Sequence, residues 1–186
     1  MNDLEKYEEV KDQIQAGDCL FFRGNHLASQ LIMAFSGPWS HAAIIVEMHS
    51  LLWVVEAVSP RVRIRSLPGL LHDYPGEVWW AGMKEGYSPL DIAQATGFAI
   101  SAAHQELPYD FAGIGKMAFG PVEVHGEKVL CSELLQLAYH YGGFVKNITW
   151  IDSPADAQEK YDFLNELIML VKAEVPEPYE PEGVGV

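Results

Sequence analysis

The spacing of hydrophobic residues changes along this chain from the short period of strands to the longer period of helices. Between residues 18 and 83, compact apolar runs bounded by turn residues predict strands. These runs span residues 18–22, 42–47, 52–57, 61–67 and 78–83. The run at 61–67 alternates apolar residues with Arg61, Arg63 and Arg65, which predicts one solvent-facing side. Because short turns join most of these runs, we expect an antiparallel sheet.

Helical spacing predicts helices before, within and after this strand-rich region. They span residues 3–15, 27–35, 88–105, 111–119, 131–141 and 153–172, the last with a break near residue 160. Ser88 and Pro89 suit an N-cap and a first helical turn, and Gly142-Gly143 suits a helix end. Residues 120–128 are predicted to form a loop or a small hairpin. The order of the elements predicts an α+β fold, in which a sheet of about four to six strands packs against helices.

The composition fits one compact domain followed by a polar tail. A chain of 186 residues with 49% hydrophobic residues is able to bury roughly two-thirds of the surface that its unfolded form exposes. We assign residues 1–173 to this domain. Residues 174–186 are rich in glutamate and proline and have no hydrophobic period, so we expect them to be disordered.

The charge of the chain excludes several classes of partner. Twenty-six acidic and twelve basic residues give a formal net charge of −14, which repels nucleic-acid phosphates and anionic membrane surfaces. Residues 1–9 contain four acidic residues and no apolar segment, unlike a secretory leader. No apolar run approaches the roughly 20 residues of a membrane-spanning helix. We therefore expect a cytoplasmic protein with no integral membrane segment.

Cys131 is the first candidate for chemistry, since it stands at the predicted start of a helix. The unpaired N–H groups and the dipole of a helix N-terminus favour the thiolate, which is the nucleophilic form of cysteine. The same N–H groups are suited to hold the oxyanion of a tetrahedral intermediate. The alternative is a buried cysteine that acts as a small hydrophobic residue. Cys19 lies inside a predicted strand, a dissimilar context, so we expect no disulfide between the two cysteines.

His41 and Glu56 are the candidates for a base and for the group that orients it. His41 begins an apolar strand, where its ring could reach a neighbouring helix as a general base; a histidine that is simply satisfied within the core fits equally well. Glu56 lies in the apolar run Trp53-Val54-Val55-Glu56-Ala57. A buried carboxylate needs a partner, and orienting His41 would supply one. The strand period could equally point Glu56 to solvent.

Other sites find no support in the sequence. The remaining histidines have no metal-ligand spacing with cysteine, and no His-Glu-x-x-His segment occurs. Neither of the common glycine-rich phosphate-binding patterns is present. We therefore expect no metal and no cofactor.

Five segments together resemble the circularly permuted branch of the NlpC-type, papain-like cysteine hydrolases, often called YiiX-like. They are residues 17–22, 40–46, 55–57, 109–111 and 131–134. As in that branch, the histidine strand precedes the cysteine helix, which reverses the order in papain. The resemblance spans roughly residues 16–160. It implies a permuted papain-like fold with Cys131 as the nucleophile, His41 as the base and Glu56 as the polar residue that orients His41.

The resemblance also bears on residues around this triad. Tyr109 matches a Tyr-Asp element near such sites, and we expect it to contact the oxyanion or the substrate. Trp39 makes the approach to His41 bulky and is a second candidate substrate contact. Asp18 matches a Gly-Asp element before the first strand, where a turn-capping role is favoured over catalysis. Cys19 departs from the pattern, because an aliphatic residue is usual at its position.

The sequence therefore predicts a cysteine hydrolase that forms a thioester on Cys131. The resemblance implies that the substrate is a peptide, including a cell-wall peptide, or a molecule that carries an acyl group, such as a lipid, and the sequence does not choose between them. Transfer of the acyl group remains an alternative to hydrolysis. A second hypothesis is a non-catalytic binding or accessory module that retains the papain-like pocket and uses its acidic tail for docking.

Overall fold

The computed structural model describes residues 4–117 and 127–172. Its strands form one antiparallel sheet of six strands in the order β4-β3-β2-β1-β5-β6. The strands are β1 (Cys19–Gly24), β2 (His41–Met48), β3 (Leu51–Val58), β4 (Arg61–Ser66), β5 (Gly76–Ala81) and β6 (Ile168–Val171). The helices are α1 (Glu5–Val10), α2 (Leu27–Ser36), α3 (Leu67–Asp73), α4 (Pro89–His104), α5 (Phe111–Met117), α6 (Cys131–Tyr141) and α7 (Pro154–Lys160). The α+β fold predicted from the sequence is confirmed.

Serine caps begin three of the helices. The hydroxyl of Ser66 accepts from the backbone of Gly69 at the start of α3, and Ser88 accepts from Leu90 at the start of α4. Ser153 caps α7, where the carboxylate of Asp156 accepts in return from the backbone of Ser153. Each cap satisfies a backbone donor that the helix itself leaves without a partner. Local chemistry thus fixes where these helices begin.

The sheet is buried on both faces, and the period of two along β2 distributes its side chains between two hydrophobic clusters. Ala42, Ile44 and Val46 pack with residues of α4 and α6. Ala43 and Ile45 pack on the opposite face with residues of α1 and α3. Because both faces of the sheet are covered, the sequence of β2 is a continuous run of apolar residues from Ala42 to Val46.

Some predictions about the elements need correction, and others fall outside the described residues. The predicted helix 3–15 is shorter, since α1 ends at Val10 and a 3₁₀ turn follows over Lys11–Gln13. Helix α3 was not predicted. The predicted helix 153–172 is wrong in its second half, because α7 ends at Lys160 and β6 follows. Most of the predicted loop at 120–128 and the whole tail from residue 174 lie outside the described residues.

Candidate active site

The sheet and α6 converge where β2 begins. His41 is the first residue of β2, Glu56 lies on β3, and Cys131 is the first residue of α6. The pairing of β2 with β3 extends from Met48–Leu51 to Ile44–Val55, so it stops two residues short of Ala42. Helix α6 packs against both of these strands. The end of the β2–β3 ladder thus leaves room for the N-terminus of α6 beside His41.

Glu56 fixes the imidazole ring of His41. The Nε2 atom of His41 lies 2.9 Å from the Oε2 atom of Glu56, and their side chains are only 13% and 4% exposed. The ring also forms a hydrogen bond with the Cys131 side chain. Since Nε2 is occupied by Glu56, the ring meets the sulfur through Nδ1. The three side chains therefore form a line, carboxylate to imidazole to sulfur.

The surroundings of Cys131 favour its thiolate. The side chain is 7% exposed, and burial alone would raise the pKa of its thiol. The charge of His41, the hydrogen bond with His41, and backbone N–H groups of Ala42 and Ser132 outweigh burial and lower that pKa below its usual value. The Ser132 N–H belongs to the first turn of α6, and Ala42 lies beyond the end of the β2–β3 ladder.

The charges of His41 and Glu56 stabilise each other in the same way. Burial opposes the charge of His41, but Cys131 and then Glu56 outweigh it and raise the pKa of His41 to about 10. Burial also opposes the charge of Glu56, yet His41 and then Arg63 lower the pKa of Glu56 to about 2. These contacts therefore favour the charged forms of all three side chains, a thiolate and an imidazolium beside a carboxylate.

Two further residues lie at the site, and the sequence analysis assigned a site role to neither. Arg63 contacts the second oxygen of Glu56, with its Nε and Nη2 atoms each 2.8 Å from Oε1. Tyr74 forms a hydrogen bond with Ser40, and its ring centroid lies 4.9 Å from that of Phe22. Burial, together with the charges of Glu56 and Cys131, raises the pKa of Tyr74 to about 12. The alternation of arginines with apolar residues in β4 was the feature of the sequence from which Arg63 could have been found.

Tyr109 and Trp39, the candidate substrate contacts, occupy different environments. Burial first, and then the charge of Cys131, raise the pKa of Tyr109. Its ring makes an edge contact with the exposed Phe111, 5.3 Å away. Trp39 is buried instead, in edge contact with Trp79 at 5.7 Å. A direct role of either residue with a substrate stays a prediction.

Asp18 and Cys19 lie within the fold. The carboxylate of Asp18 accepts from the backbone N–H groups of Gln15 and Met83 and from the indole N–H of Trp80, all at 2.8 Å. This network matches a role in holding a turn. Cys19 is fully buried, and both it and Cys131 are free thiols.

Comparison with known proteins relates the fold to solved structures. No protein-family model matches the chain, and no curated protein matches it. The metalloprotein yiiX from Escherichia coli O157:H7 is similar in structure, with a TM-score of 0.67 and 19% sequence identity, over 84% of this chain and 97% of that chain. The chain therefore has a YiiX-like fold.

The fold similarity raises the question of a metal, because that relative is described as a metalloprotein. Within residues 4–117 and 127–172, no three histidine, cysteine, aspartate or glutamate side chains are arranged to hold a metal ion. These residues therefore do not fit a metal centre. Over the same residues, every helix falls short of the length and apolar character needed to cross a bilayer.

Proposed function

We propose that the protein is a cysteine hydrolase that cleaves an amide or ester bond through a thioester on Cys131. The observation that carries this proposal is the buried arrangement of Glu56, His41 and Cys131, in which the carboxylate holds the ring and the ring lowers the pKa of the thiol. Structural burial of a cysteine requires none of these contacts. A nucleophile, its acid–base partner and an orienting group require all of them.

The first half of the reaction forms the acyl-enzyme. The thiolate of Cys131 attacks the carbonyl carbon, and the carbonyl electrons move to oxygen. Backbone N–H groups at the start of α6 stabilise this oxyanion. As the carbon–nitrogen or carbon–oxygen bond breaks, the Nδ1–H of His41 gives its proton to the leaving group. The products are a thioester, a neutral imidazole and a free amine or alcohol.

The second half releases the acyl group. Neutral His41 takes a proton from water as the water oxygen attacks the thioester carbon. The carbon–sulfur bond then breaks, which regenerates the thiolate beside imidazolium and leaves a carboxylic acid. Glu56 remains bonded to Nε2 throughout, so Nδ1 always faces the sulfur. An amine or alcohol in place of water would make the same site an acyltransferase.

A reactivity measurement tests the nucleophile without knowledge of the substrate. Iodoacetamide at about pH 6 is expected to alkylate Cys131 at least about 10-fold faster in the wild type than in His41→Gln, because the charge and hydrogen bond of His41 lower the pKa of the thiol and glutamine supplies no charge. Mass spectrometry locates the label. The matched control is the same pair of proteins in denaturant, where the two rates should be equal. Equal rates in the folded proteins would overturn the assigned ion pair.

A second measurement separates catalysis from binding. Amide, ester and thioester substrates are screened with the wild type and with Cys131→Ala, which should lose at least about 1,000-fold in kcat/KM. An acyl group trapped on Cys131 would identify the intermediate. An ion-paired cysteine that turns over no substrate and traps no acyl group would instead favour the accessory-module hypothesis.

A further inference from the structure

Among residues 4–117 and 127–172, Arg63 is the charged residue that contacts the buried carboxylate of Glu56 on the oxygen that His41 does not contact. Its guanidinium lies on β4, where it is the cross-strand partner of Glu56. The side chain is 47% exposed, whereas that of Glu56 is 4% exposed. Nε and Nη2 both contact Oε1, and Oε2 is left for His41. The cation therefore continues the line of the site outward to the surface.

We propose that Arg63 is a positioning residue that acts through Glu56 to set the pH range over which Cys131 and His41 form their ion pair. This inference rests on the proposed function for its biological meaning. The effect of the Arg63 charge on the buried Cys131–His41 pair is measurable without knowledge of the substrate.

The reaction cycle explains why a second cation is needed. While His41 is protonated, Glu56 has a charged partner on Oε2. When His41 gives its proton to the leaving group, that partner becomes neutral, and a buried carboxylate without a cation is costly. Arg63 then supplies the remaining positive charge. It keeps Glu56 ionised, so the ring is not released when it has to take a proton from water.

The sign of the effect follows from Coulomb's law. Removing a positive charge raises the pKa of each neighbouring group, because every neighbour then binds a proton more readily. In the part of the chain that the structure describes, the titratable and charged groups around the carboxylate and the ring are Arg63 on β4, Cys131 on α6 and Tyr74 after α3. In a plot of Cys131 alkylation rate against pH, the acid limb is the rise in rate as the thiol loses its proton. Loss of Arg63 should therefore move this acid limb to higher pH.

The sequence offers matched controls on the same strand. Arg61 and Arg65 lie two residues to either side of Arg63 and share its alternation. Arg61 pairs with Glu106 and Arg65 with Asp73, both of which are exposed carboxylates. Replacing either arginine by methionine removes the same charge and leaves the contact with Glu56 intact.

The experiment measures the rate of Cys131 alkylation by iodoacetamide from pH 3 to pH 9 in Arg63→Met, Arg63→Lys, Arg61→Met and Arg65→Met. We expect the acid limb of Arg63→Met to move up by about half a pH unit or more. Arg63→Lys keeps the charge and should keep the wild-type limb. The two control variants should shift by less than about 0.2 units, because their charges are farther away and screened.

The outcomes separate this inference from the proposed function. An unmoved limb in Arg63→Met, or an equal shift in all three methionine variants, would overturn the role of Arg63. Urea unfolding of the same proteins shows whether a variant has lost stability. Lost stability would change the size of the alkylation rate but leave the pH of its acid limb in place. If the acid limb shifts in Arg63→Met but the wild type hydrolyses no substrate, the effect of Arg63 on the pH range stands and only the proposed hydrolase function is contradicted.

Discussion

Whether the side chain of Glu56 is buried and paired or faces solvent is decided by tertiary contacts, which the local sequence does not show. Its run Trp53-Val54-Val55-Glu56-Ala57 suits a buried strand, and a carboxylate within it is costly unless it is paired. The period of two allows either face. The choice depends on register, which sets Arg63 opposite Glu56, and on the tertiary packing that brings Nε2 of His41 within 2.9 Å of Oε2 of Glu56. Both partners are cations, so the carboxylate stays charged.

Asp18 gives a stability prediction with a defined sign. Burial raises the pKa of this carboxyl from 3.8 to about 6, although three N–H donors oppose the shift. The folded protein thus binds the proton more tightly than the unfolded chain. The free energy of unfolding should fall as pH rises between about 4 and 6, by up to about 3 kcal/mol from this one group.

Urea unfolding of the wild type and of Asp18→Asn at pH 4, 5, 6 and 7 checks this expectation. Asparagine does not titrate, so the difference between the two free energies isolates the contribution of Asp18 from that of other carboxyls. The wild type should lose stability relative to the variant as pH rises. Parallel pH curves for the two proteins would show that the Asp18 carboxyl titrates normally.

At the scale of elements, the main error was to predict a helix where β6 forms, and this error has a physical reason. Residues 168–171 are consecutively apolar, which suits a buried helix as well as a strand. A register shift lies where β6 pairs with β5, since Val78 pairs with Val171 and Trp79 with Met169. The shift places Leu170 and Val171 in the same buried cluster. The alternation that identifies a strand is therefore absent from the sequence.

Substitution in β6 tests its contribution to the core. Leu170 is 1% exposed, so Leu170→Ala should lower the free energy of unfolding by about 2–5 kcal/mol through lost burial and a cavity. The exposed neighbour Glu166 supplies the control, and Glu166→Ala should change stability by no more than about 0.5 kcal/mol. Chemical denaturation of both variants gives the comparison. A small effect at Leu170, as expected for alanine on a poorly packed helix end, would contradict the packing of β6.

Most of the sheet could be predicted because its strands have short turns and strong apolar runs. Helix α6 was predicted with its observed limits, since Cys131 follows a loop and Gly142 ends the helical spacing. The sequence also indicated Cys131, His41 and Glu56 as candidates by residue type and by resemblance. It did not indicate Tyr74, because α3 was not predicted and nothing in the local pattern relates this residue to Ser40. Such contacts depend on tertiary packing.

At the scale of the molecule, the site joins distant parts of one chain. His41 and Glu56 come from adjacent strands in the first third, and Cys131 begins a helix 90 residues after His41. Between them, α4 packs against α6 and against the β2–β4 side of the sheet. The contacts among these three side chains therefore form only when the distant segments have folded together, so the reactivity of Cys131 should report on the complete fold.

The net charge of the whole chain predicts how this thiolate responds to charged reagents. At low salt the Debye length, about 30 Å at 0.01 M, is comparable with the size of the protein, so a reagent meets the field of all its charges. With a net charge of −14, the protein should repel iodoacetate and leave neutral iodoacetamide unaffected. Raising NaCl from 10 to about 300 mM should increase the iodoacetate-to-iodoacetamide rate ratio at Cys131 several-fold. A ratio that falls with salt would mean that the nearby cations His41 and Arg63 dominate the field at the sulfur.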